Sequence, residues 1–316
     1  MNEPILFLVL PCYNEEEVLA DSIAELTELL NRMVADSIIS DSSRMLFIND
    51  GSKDQTWSII QQYHDINPYV CGVNLAGNVG HQNAIMAGME TAKEYADVVI
   101  TLDADIQDDI NKIPEMVDKF KQGSDIVYGV KNDRKTDSLF KRITAKTFYK
   151  LMHSFGVKSV YNHADFRLLS KRALEQLSLY PERNIFLRGI IPLMGYKYDV
   201  VYEDLRPRKA GASKYTISKM FNLAIDGITS FSTKPIRFLL VLGVAFVIIA
   251  IIMFFHIIIT MISGRAVAGW SSLMLSMWFI GGCIMIGLGV VGEYIGKMYL
   301  EVKQRPRFNI ERRLIK

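Results

Sequence analysis

The stretch of sequence that decides the fold is Val98-Val99-Ile100-Thr101-Leu102-Asp103-Ala104-Asp105, an apolar run that ends in two acidic residues. The short run of β-branched and aliphatic side chains predicts a strand buried on both faces of a sheet. Two carboxylates one residue apart at the end of such a strand can hold a hard divalent cation together with phosphate oxygens. An Asp-x-Asp triplet is weak evidence by itself, because aspartates are common at strand ends. Its meaning depends on the rest of the chain.

Similar apolar runs recur from the N-terminus to Val130 and alternate with helical patterns. The predicted strands are Ile5–Leu10, Met45–Ile48, Val70–Leu75, Val98–Leu102 and Ile126–Val130. The helices predicted between them begin near Glu15, Asp54, His81 and Ile113, and Asp54 is placed to cap the second. This alternation predicts an α/β fold, with a mostly parallel sheet covered by helices on both faces.

Polar residues follow the predicted strands, at the carboxyl ends where open α/β sheets bind their ligands. These polar clusters are Asn14-Glu15, Asn49-Asp50, Asn78 and Asp103-Ala104-Asp105. We therefore expect one ligand site at this edge of the sheet, lined by carboxylates and side-chain amides.

The chain changes character after residue 237, where charged residues are missing from two long stretches. Neither residues 238–264 nor residues 266–292 contain Asp, Glu, Lys or Arg. As a helix, each stretch of 27 residues is about 40 Å long, against a hydrocarbon core of about 30 Å. We predict two transmembrane helices, at about 238–262 and 270–295, joined into a hairpin. The alternative is a pair of buried core helices, but core helices this long and uniformly apolar are rare.

Basic residues flank the predicted hairpin on both sides. Residues 203–237 contain seven Lys or Arg and three acids, and residues 294–316 contain seven and two. The positive-inside rule therefore predicts that the soluble domain and the C-terminus are cytoplasmic, at a cell membrane. The three cysteines have no metal-ligand spacing, which fits a reducing compartment without disulfides.

These patterns divide the chain into four segments. We predict a soluble domain at 1–214, amphipathic helices at 215–237, the two-helix hairpin at 238–295 and a basic cytoplasmic tail at 296–316. The amphipathic stretch is expected to lie in the membrane interface, although another core helix would show the same pattern. The net charge of +2 gives no reason to expect a nucleic-acid partner.

The order of the short motifs makes the chain resemble a known family of enzymes. The motifs are Pro11-Cys12-Tyr13-Asn14-Glu15-Glu16, Asn49-Asp50-Gly51-Ser52-Lys53-Asp54, Leu102-Asp103-Ala104-Asp105-Ile106-Gln107-Asp108, Asp165-Phe166-Arg167-Leu168, Arg208-Lys209-Ala210-Gly211-Ala212-Ser213-Lys214 and Gly289-Val290-Val291-Gly292-Glu293-Tyr294-Ile295-Gly296. The series resembles the inverting glycosyltransferases of the GT-A fold. Within them it is similar to polyprenyl-phosphate glycosyltransferases: the dolichyl-phosphate mannose synthases and, more closely, the bacterial undecaprenyl-phosphate glucosyltransferases. The resemblance covers essentially the whole chain.

The resemblance implies a nucleotide-sugar donor, with UDP as the expected nucleotide. The residues that would line the pocket for its base and ribose are Pro11, Tyr13, Glu15 and Asp50. Asp103 would contact the nucleotide and Asp105 would hold Mg²⁺ or Mn²⁺ against the diphosphate, so both are candidate metal ligands, and Gln107 would lie beside them. A divalent ion suits such a transfer, because the leaving nucleoside diphosphate accumulates negative charge.

Asp165 matches the catalytic aspartate of the family, for which a general base is the usual role. A phosphate acceptor weakens that assignment, because its second pKa near 6 leaves it largely dianionic and nucleophilic at neutral pH. Our hypothesis is that Asp165 positions hydroxyls of the acceptor or donor and acts as a base only in part. The alternative is a structural carboxylate paired with Arg167.

The implied acceptor is polyprenyl phosphate, an anion that calls for cationic side chains. The candidates are Lys131, Arg134, Arg208 and Lys214, of which the last two flank Ala210-Gly211-Ala212 near the membrane entry. Each of them could instead be a solvated surface charge. The resemblance also implies a flippase and a downstream transferase that use the product, and a homo-oligomer, since close relatives are often tetramers.

Two segments depart from the family pattern: Gly77-Asn78-Val79-Gly80-His81 after the third strand, and His163-Ala164 before Asp165. They lie where the donor is expected, so the sugar, a hexose or an N-acetylhexosamine, is left open. His81 and His163 are expected to fill space or form hydrogen bonds rather than to bind metal. A processive polysaccharide synthase is disfavoured because a Gln-x-x-Arg-Trp motif is missing. The remaining alternative is a catalytically silent membrane scaffold, against which the intact aspartates argue.

Overall fold

The computed structural model describes residues 3–131, 163–183, 185–203, 234–262 and 269–316. Its strands are β1 (Leu6–Cys12), β2 (Arg44–Asn49), β3 (Val70–Leu75), β4 (Val98–Thr101), β5 (Ile126–Lys131), β6 (His163–Ser170), β7 (Tyr198–Glu203) and β8 (Ile310–Leu314). Its helices are α1 (Leu19–Ala35), α2 (Thr56–Ile66), α3 (His81–Ala92), α4 (Ile113–Lys121), α5 (Lys171–Ser178), α6 (Leu187–Leu193), α7 (Lys234–Ile262) and α8 (Trp270–Lys303), with one 3-10 turn at Ile110–Lys112.

The eight strands form one sheet in the order β7-β5-β6-β4-β1-β2-β3-β8. The pairs β1–β2, β1–β4, β2–β3 and β5–β7 are parallel, whereas β6 and β8 run antiparallel to their neighbours. Successive residues of β1 face opposite sides, so that Leu8 packs in the core beneath α1 and Val9 in the core beneath α3. The predicted α/β architecture, a mostly parallel sheet with helices on both faces, is confirmed.

Helix α3 lies unusually close to β1, and a glycine makes this approach possible. A Cβ atom on Gly88 would lie only 2.3 Å from Cγ1 of Val9 and 3.0 Å from Cγ1 of Ile48. The close contact fixes the height of α3 above the sheet, and with it the position of the first residue of the helix, His81.

Strand β6 was not predicted, and it decides the geometry of the site. It lies between β4 and β5 and runs antiparallel to both, with Thr101 opposite Arg167. The first residues of β6 therefore lie at the carboxyl end of β4. In this position the hydroxyl of Thr101 donates a hydrogen bond to the backbone carbonyl of Asp165, which lies at the same edge of the sheet as Asp103.

The two long apolar stretches lie in helices α7 and α8, of which α7 begins four residues before the predicted 238 and α8 ends eight residues after the predicted 295. The rings of Phe246 and Phe279 meet edge to face with their centroids 5.9 Å apart, so the two helices touch. Within the described ranges, one stretch, Phe279–Lys303, is long and apolar enough to cross a membrane. The second crossing stays a prediction.

The C-terminal residues form more than the basic tail that was predicted. Helix α8 continues to Lys303, and β8 then pairs antiparallel with β3 at the edge of the sheet, with Asn74 opposite Arg312. The side-chain amide of Asn74 donates a hydrogen bond of 2.7 Å to Glu311. Residues 310–314 are therefore part of the same sheet as β1 to β7.

Candidate active site

The loops after β1 and β2 are joined by hydrogen bonds that form one side of the site. The backbone N–H of Asn14 donates to the hydroxyl of Ser52 at 3.0 Å, and the N–H of Lys53 donates to Oδ1 of Asn14 at 2.9 Å. Asn14 takes part with a positive φ of 54°, a backbone conformation that asparagine tolerates better than most residues. The N–H of Glu15 donates to Thr56 Oγ1 at 2.9 Å. These bonds place the predicted donor-pocket residues Pro11, Tyr13 and Glu15 at the same edge as Asp50.

Asp50 fixes the loop between β3 and α3. Its carboxylate accepts hydrogen bonds from the backbone N–H groups of Val79 at 2.7 Å and Gly80 at 3.1 Å. Burial raises the pKa of Asp50, although these two bonds and the nearby His81 oppose the shift. The loop lies so close that a Cβ on Gly51 would be 2.5 Å from the backbone nitrogen of Asn78. In this structure Asp50 therefore sets the start of α3, and its predicted contact with the nucleotide stays a prediction.

The loop after β4 holds the predicted metal ligands in a strained backbone. Ile106 has a φ of 45°, which is rare for a β-branched residue, and its side chain is buried in the core. The hydroxyl of Ser22 donates to the carbonyl of Ala104 at 2.7 Å, and the side-chain amide of Gln107 donates to Oδ2 of Asp105. The buried Ile106 anchors the turn, beside which Asp105 and Gln107 meet, and their predicted roles toward a metal and a nucleotide stay predictions.

Asp165 is surrounded by the side chains of two arginines and one histidine. Nη2 of Arg188 lies 3.0 Å from its Oδ2, Nη2 of the buried Arg167 bonds its Oδ1, and Nε2 of His81 lies 3.4 Å from its Oδ2. Burial alone would raise the pKa of Asp165, but Arg188, His81 and Arg167 outweigh it and hold that pKa well below its usual range. Asp165 is therefore ionised at neutral pH and is a weak base.

His81 links the two carboxylates at this edge. Its Nε2 lies 3.7 Å from Oδ1 of Asp103 as well as 3.4 Å from Asp165. Burial would lower the pKa of His81, but the hydrogen bond to Asp165 and the charge of Asp103 raise it. Burial, together with the charges of Asp165 and Asp105, raises the pKa of Asp103. His81 acts in the opposite direction and lowers that pKa. His81 thus forms a hydrogen bond to Asp165 and lies within electrostatic contact of Asp103.

Arg188 was not predicted as a site residue, and no motif pointed to it. It is the second residue of the short helix α6, whose first N–H, that of Leu187, donates to Oε1 of Gln82 at 2.9 Å. This bond ties α6 to the start of α3 and brings Arg188 to Asp165. Only the three-dimensional structure reveals the contact, because the two residues are 23 positions apart.

A buried pair of acids lies behind the strained loop. The side chains of Asp108 and Glu203 are hydrogen-bonded to each other, and Oε2 of Glu203 also accepts the N–H of Asp109 at 2.9 Å. Burial and the charge of Glu203 raise the pKa of Asp108 to about 8, and burial also raises the pKa of Glu203. Lys131 lies opposite Glu203 in the β5–β7 register, and its charge favours the ionised form of both acids. The pair joins the loop after β4 to the end of β7.

Of the predicted cations for the acceptor, Lys131 lies at the edge of the sheet that carries the aspartates. Arg134, Arg208 and Lys214 fall outside the described ranges, as do residues 215–233 of the amphipathic segment predicted at 215–237 and the greater part of the connector between α7 and α8. Their roles stay predictions.

Comparison with models of protein families identifies the family to which this chain belongs. A family model for glycosyl transferase family 2 matches residues 7–178, which include every described residue of the site except Arg188 and Glu203. The chain belongs to glycosyl transferase family 2. The predicted family resemblance and the predicted class of enzyme are confirmed.

Similarity to individual glycosyltransferases extends over almost the whole chain. The chain is 47% identical to the uncharacterized glycosyltransferase YkoT of Bacillus subtilis (strain 168), over 98% of this chain and 92% of that protein. It is 41% identical to the SfII prophage-derived bactoprenol glucosyl transferase of Shigella flexneri, over 96% and 97%. Among solved structures it is 14% identical to the mannosyltransferase PcManGT of Pyrobaculum calidifontis in complex with GDP-Man and Mn²⁺, over 94% and 85%, with a TM-score of 0.46. A likeness that low carries no argument.

The residues of the site fit a metal ion that takes some of its ligands from the protein and the others from a bound substrate. Among the described residues no group of three or more His, Cys, Asp or Glu side chains could hold a metal. The chain offers instead Asp105 and the carboxylate of Asp103, which is half buried and half accessible. Mg²⁺ is typically bound in this way, by one or two carboxylates together with phosphate oxygens and water. Burial is the main cause of the raised pKa of Asp103, and the negative charges of Asp165 and Asp105 add to it.

Proposed function

We propose that this glycosyltransferase transfers a sugar, with inversion, from a UDP-linked donor to polyprenyl phosphate at the cytoplasmic face of the membrane. The observation that carries the proposal is the meeting of Asp103 and Asp165 around His81, at the edge of the sheet where a donor diphosphate is expected. Near-full-length similarity to a bactoprenol glucosyl transferase supports the class of acceptor. The sugar is a hexose or an N-acetylhexosamine. The lipid-linked product would then be moved by a flippase and used by a downstream transferase.

The chain's own residues divide the work of the transfer. Asp103 and Asp105 would hold Mg²⁺ or Mn²⁺, which stabilises the charge that develops on the leaving diphosphate. Asp165 is kept ionised by Arg188, Arg167 and His81. Because its basicity is low, its main role is to orient hydroxyls and the cationic groups around it. The acceptor phosphate is already nucleophilic at neutral pH and has little need of a base. Lys131, Arg134, Arg208 and Lys214 would attract that phosphate to the membrane side of the site.

The position of β8 supports two crossings of the membrane rather than one. Strands β7 and β8 belong to the same sheet, so Glu203 and Ile310 lie on the same side of any bilayer. The chain between them must therefore cross an even number of times. Helix α8 is long enough to span, so α7 provides the return crossing. The basic residues on both flanks favour the cytoplasm for the sheet.

The topology can be tested with single cysteines, introduced by Ser263→Cys in the connector or Lys316→Cys at the C-terminus after Cys12, Cys71 and Cys283 have been replaced with serine. A membrane-impermeant maleimide added to intact cells is expected to label the connector cysteine. The C-terminal cysteine should be labelled only after permeabilisation, because β8 lies with the catalytic domain. Labelling of both positions from outside, or of both only after permeabilisation, would contradict the two-span arrangement.

The activity is tested with the purified full chain, undecaprenyl phosphate, Mg²⁺ and a panel of labelled nucleotide sugars. We expect a labelled lipid product with one UDP-linked donor and none when the lipid phosphate is omitted. A homologous enzyme of established activity provides the positive control. Absence of product with every donor would overturn the proposal. The alternative, a silent scaffold, would also lack metal-dependent binding of UDP, which calorimetry measures separately.

A further inference from the structure

Helix α8 extends well beyond its uncharged part and reaches the catalytic domain. The last uncharged stretch ends at Gly292, and residues 293–303 continue the helix for about 16 Å. Near its end, both carboxylate oxygens of Glu301 accept the backbone N–H of Arg183, at 2.9 and 2.8 Å. The apolar helix is thus bonded directly to the segment that follows α5.

Arg307, just after α8, contacts the same segment and a second element. Its guanidinium donates to the backbone carbonyl of Glu182 at 3.0 Å and to that of Tyr180. On its other side, Nη1 lies 3.4 Å from Oε1 of Glu90, which is on α3. The Arg307 side chain is only 7% exposed, so these contacts form in a largely dry environment where charged hydrogen bonds are strong.

Both elements held in this way lead to Asp165. The segment after Arg183 enters α6, where Arg188 lies 3.0 Å from Asp165. Helix α3 begins with His81, which lies 3.4 Å from the same carboxylate. The bond from the Leu187 N–H to Gln82 fastens the two elements together close to the site. A continuous set of contacts therefore runs from the end of the apolar helix to the cationic partners of Asp165.

We propose that Glu301 and Arg307 are positioning residues for the transfer. They hold α6 and α3 so that Arg188 and His81 meet Asp165, and the helix that carries the domain at the membrane thereby sets the geometry of the site. The kinetic part of this inference rests on the proposed function. The structural part does not, because it concerns contacts that exist without substrate.

The structural part is tested by hydrogen exchange on the full chain in lipid nanodiscs, without any substrate. Glu301→Ala is expected to increase amide exchange about tenfold in peptides covering 185–193, since the segment that leads into α6 loses its bond to α8 at Arg183. Peptides from β1 and β4 should be unchanged. The matched control is Glu311→Ala, on the same C-terminal segment, which removes a bond to Asn74 but touches neither α6 nor α3. Unchanged exchange at 185–193 in Glu301→Ala, or an equal increase in the control, would overturn the proposal.

The kinetic part is tested with the lipid-linked product assay. Glu301→Ala is expected to lower kcat by about tenfold or more while the KM for the donor changes less than about twofold, because small misplacements near the chemistry are costly. Glu301→Gln retains an acceptor oxygen and should keep most of the wild-type kcat. Arg307→Lys should keep a smaller share of the wild-type kcat, because lysine lacks the forked donor geometry of arginine. An unchanged kcat, or a loss confined to KM, would contradict a positioning role. If the wild type forms no product while exchange responds as expected, the proposed function fails and the positioning contacts stand.

Discussion

Replacement of Asp105 with alanine is expected to lower the rate of sugar transfer by a factor of about 10³ or more. Asp105 is held by Gln107 in a loop whose turn is anchored by the buried Ile106, so its carboxylate is fixed before any substrate binds. If Asp105 is a metal ligand as proposed, loss of the carboxylate would weaken binding of the divalent ion that offsets the charge of the leaving diphosphate. The measurement is the initial rate of lipid-linked product at saturating donor, with and without excess EDTA.

Two further variants distinguish the loss of a metal ligand from a general disturbance of the protein structure. Asp118→Ala removes an exposed carboxylate on α4 and should leave the rate within about twofold of the wild type. Asp105→Glu keeps the charge at a changed distance and should fall between the wild type and Asp105→Ala. EDTA should abolish the wild-type rate, and calorimetry should show weakened metal-dependent UDP binding in Asp105→Ala. If Asp105→Ala kept more than a tenth of the wild-type rate, or if EDTA left the wild-type rate unchanged, Asp105 would not be a metal ligand for the transfer.

The sequence predicts the first five strands closely because each is a short apolar run between turn-forming residues. Strand β3 has the predicted limits, Val70–Leu75, and the others differ by a residue or two at either end. Strand β8 has a different character. It is Ile310-Glu311-Arg312-Arg313-Leu314, with charged residues at three of five positions, because it lies at an exposed sheet edge and buries little. Local pattern gives no signal for such a strand, and its pairing with β3 depends on the whole fold.

In the site, too, the sequence predicts the contacts between residues close in the chain, but not those between residues far apart in it. Asp103, Asp105 and Gln107 follow a single strand, so their proximity could be predicted from the chain. Asp165 could be matched only through the family motif, since its place beside Asp103 depends on the antiparallel insertion of β6. Arg188 was missed altogether, because it reaches Asp165 from a short helix fixed by a side chain of another helix.

Asp165→Asn is expected to lower the rate by about 10²- to 10³-fold, and by the same factor at pH 6 and at pH 8. The pKa of Asp165 is held well below its usual range by Arg188, His81 and Arg167, so the group is ionised at both pH values and does not titrate between them. The wild-type rate should itself rise from pH 6 to pH 8, because the acceptor phosphate loses its second proton near pH 6. The ratio of wild type to variant separates the effect of Asp165 from that of the phosphate.

A general base would give a different profile, because a monoanionic phosphate needs a base more than a dianionic one does. A variant with near-normal activity at pH 8 and a large loss at pH 6 would therefore restore the base role and contradict positioning. Removal of the charge also leaves the buried Arg167 without its ionised partner, at a cost of about 3 kcal/mol, so rates have to be compared on folded protein. Asp199→Asn is the matched control. Lys119, 2.9 Å away, lowers the pKa of Asp199 too, but Asp199 lies on the surface away from the site. Its variant should transfer sugar at the wild-type rate at both pH values, which would assign the effect of Asp165 to its place between Arg188 and His81.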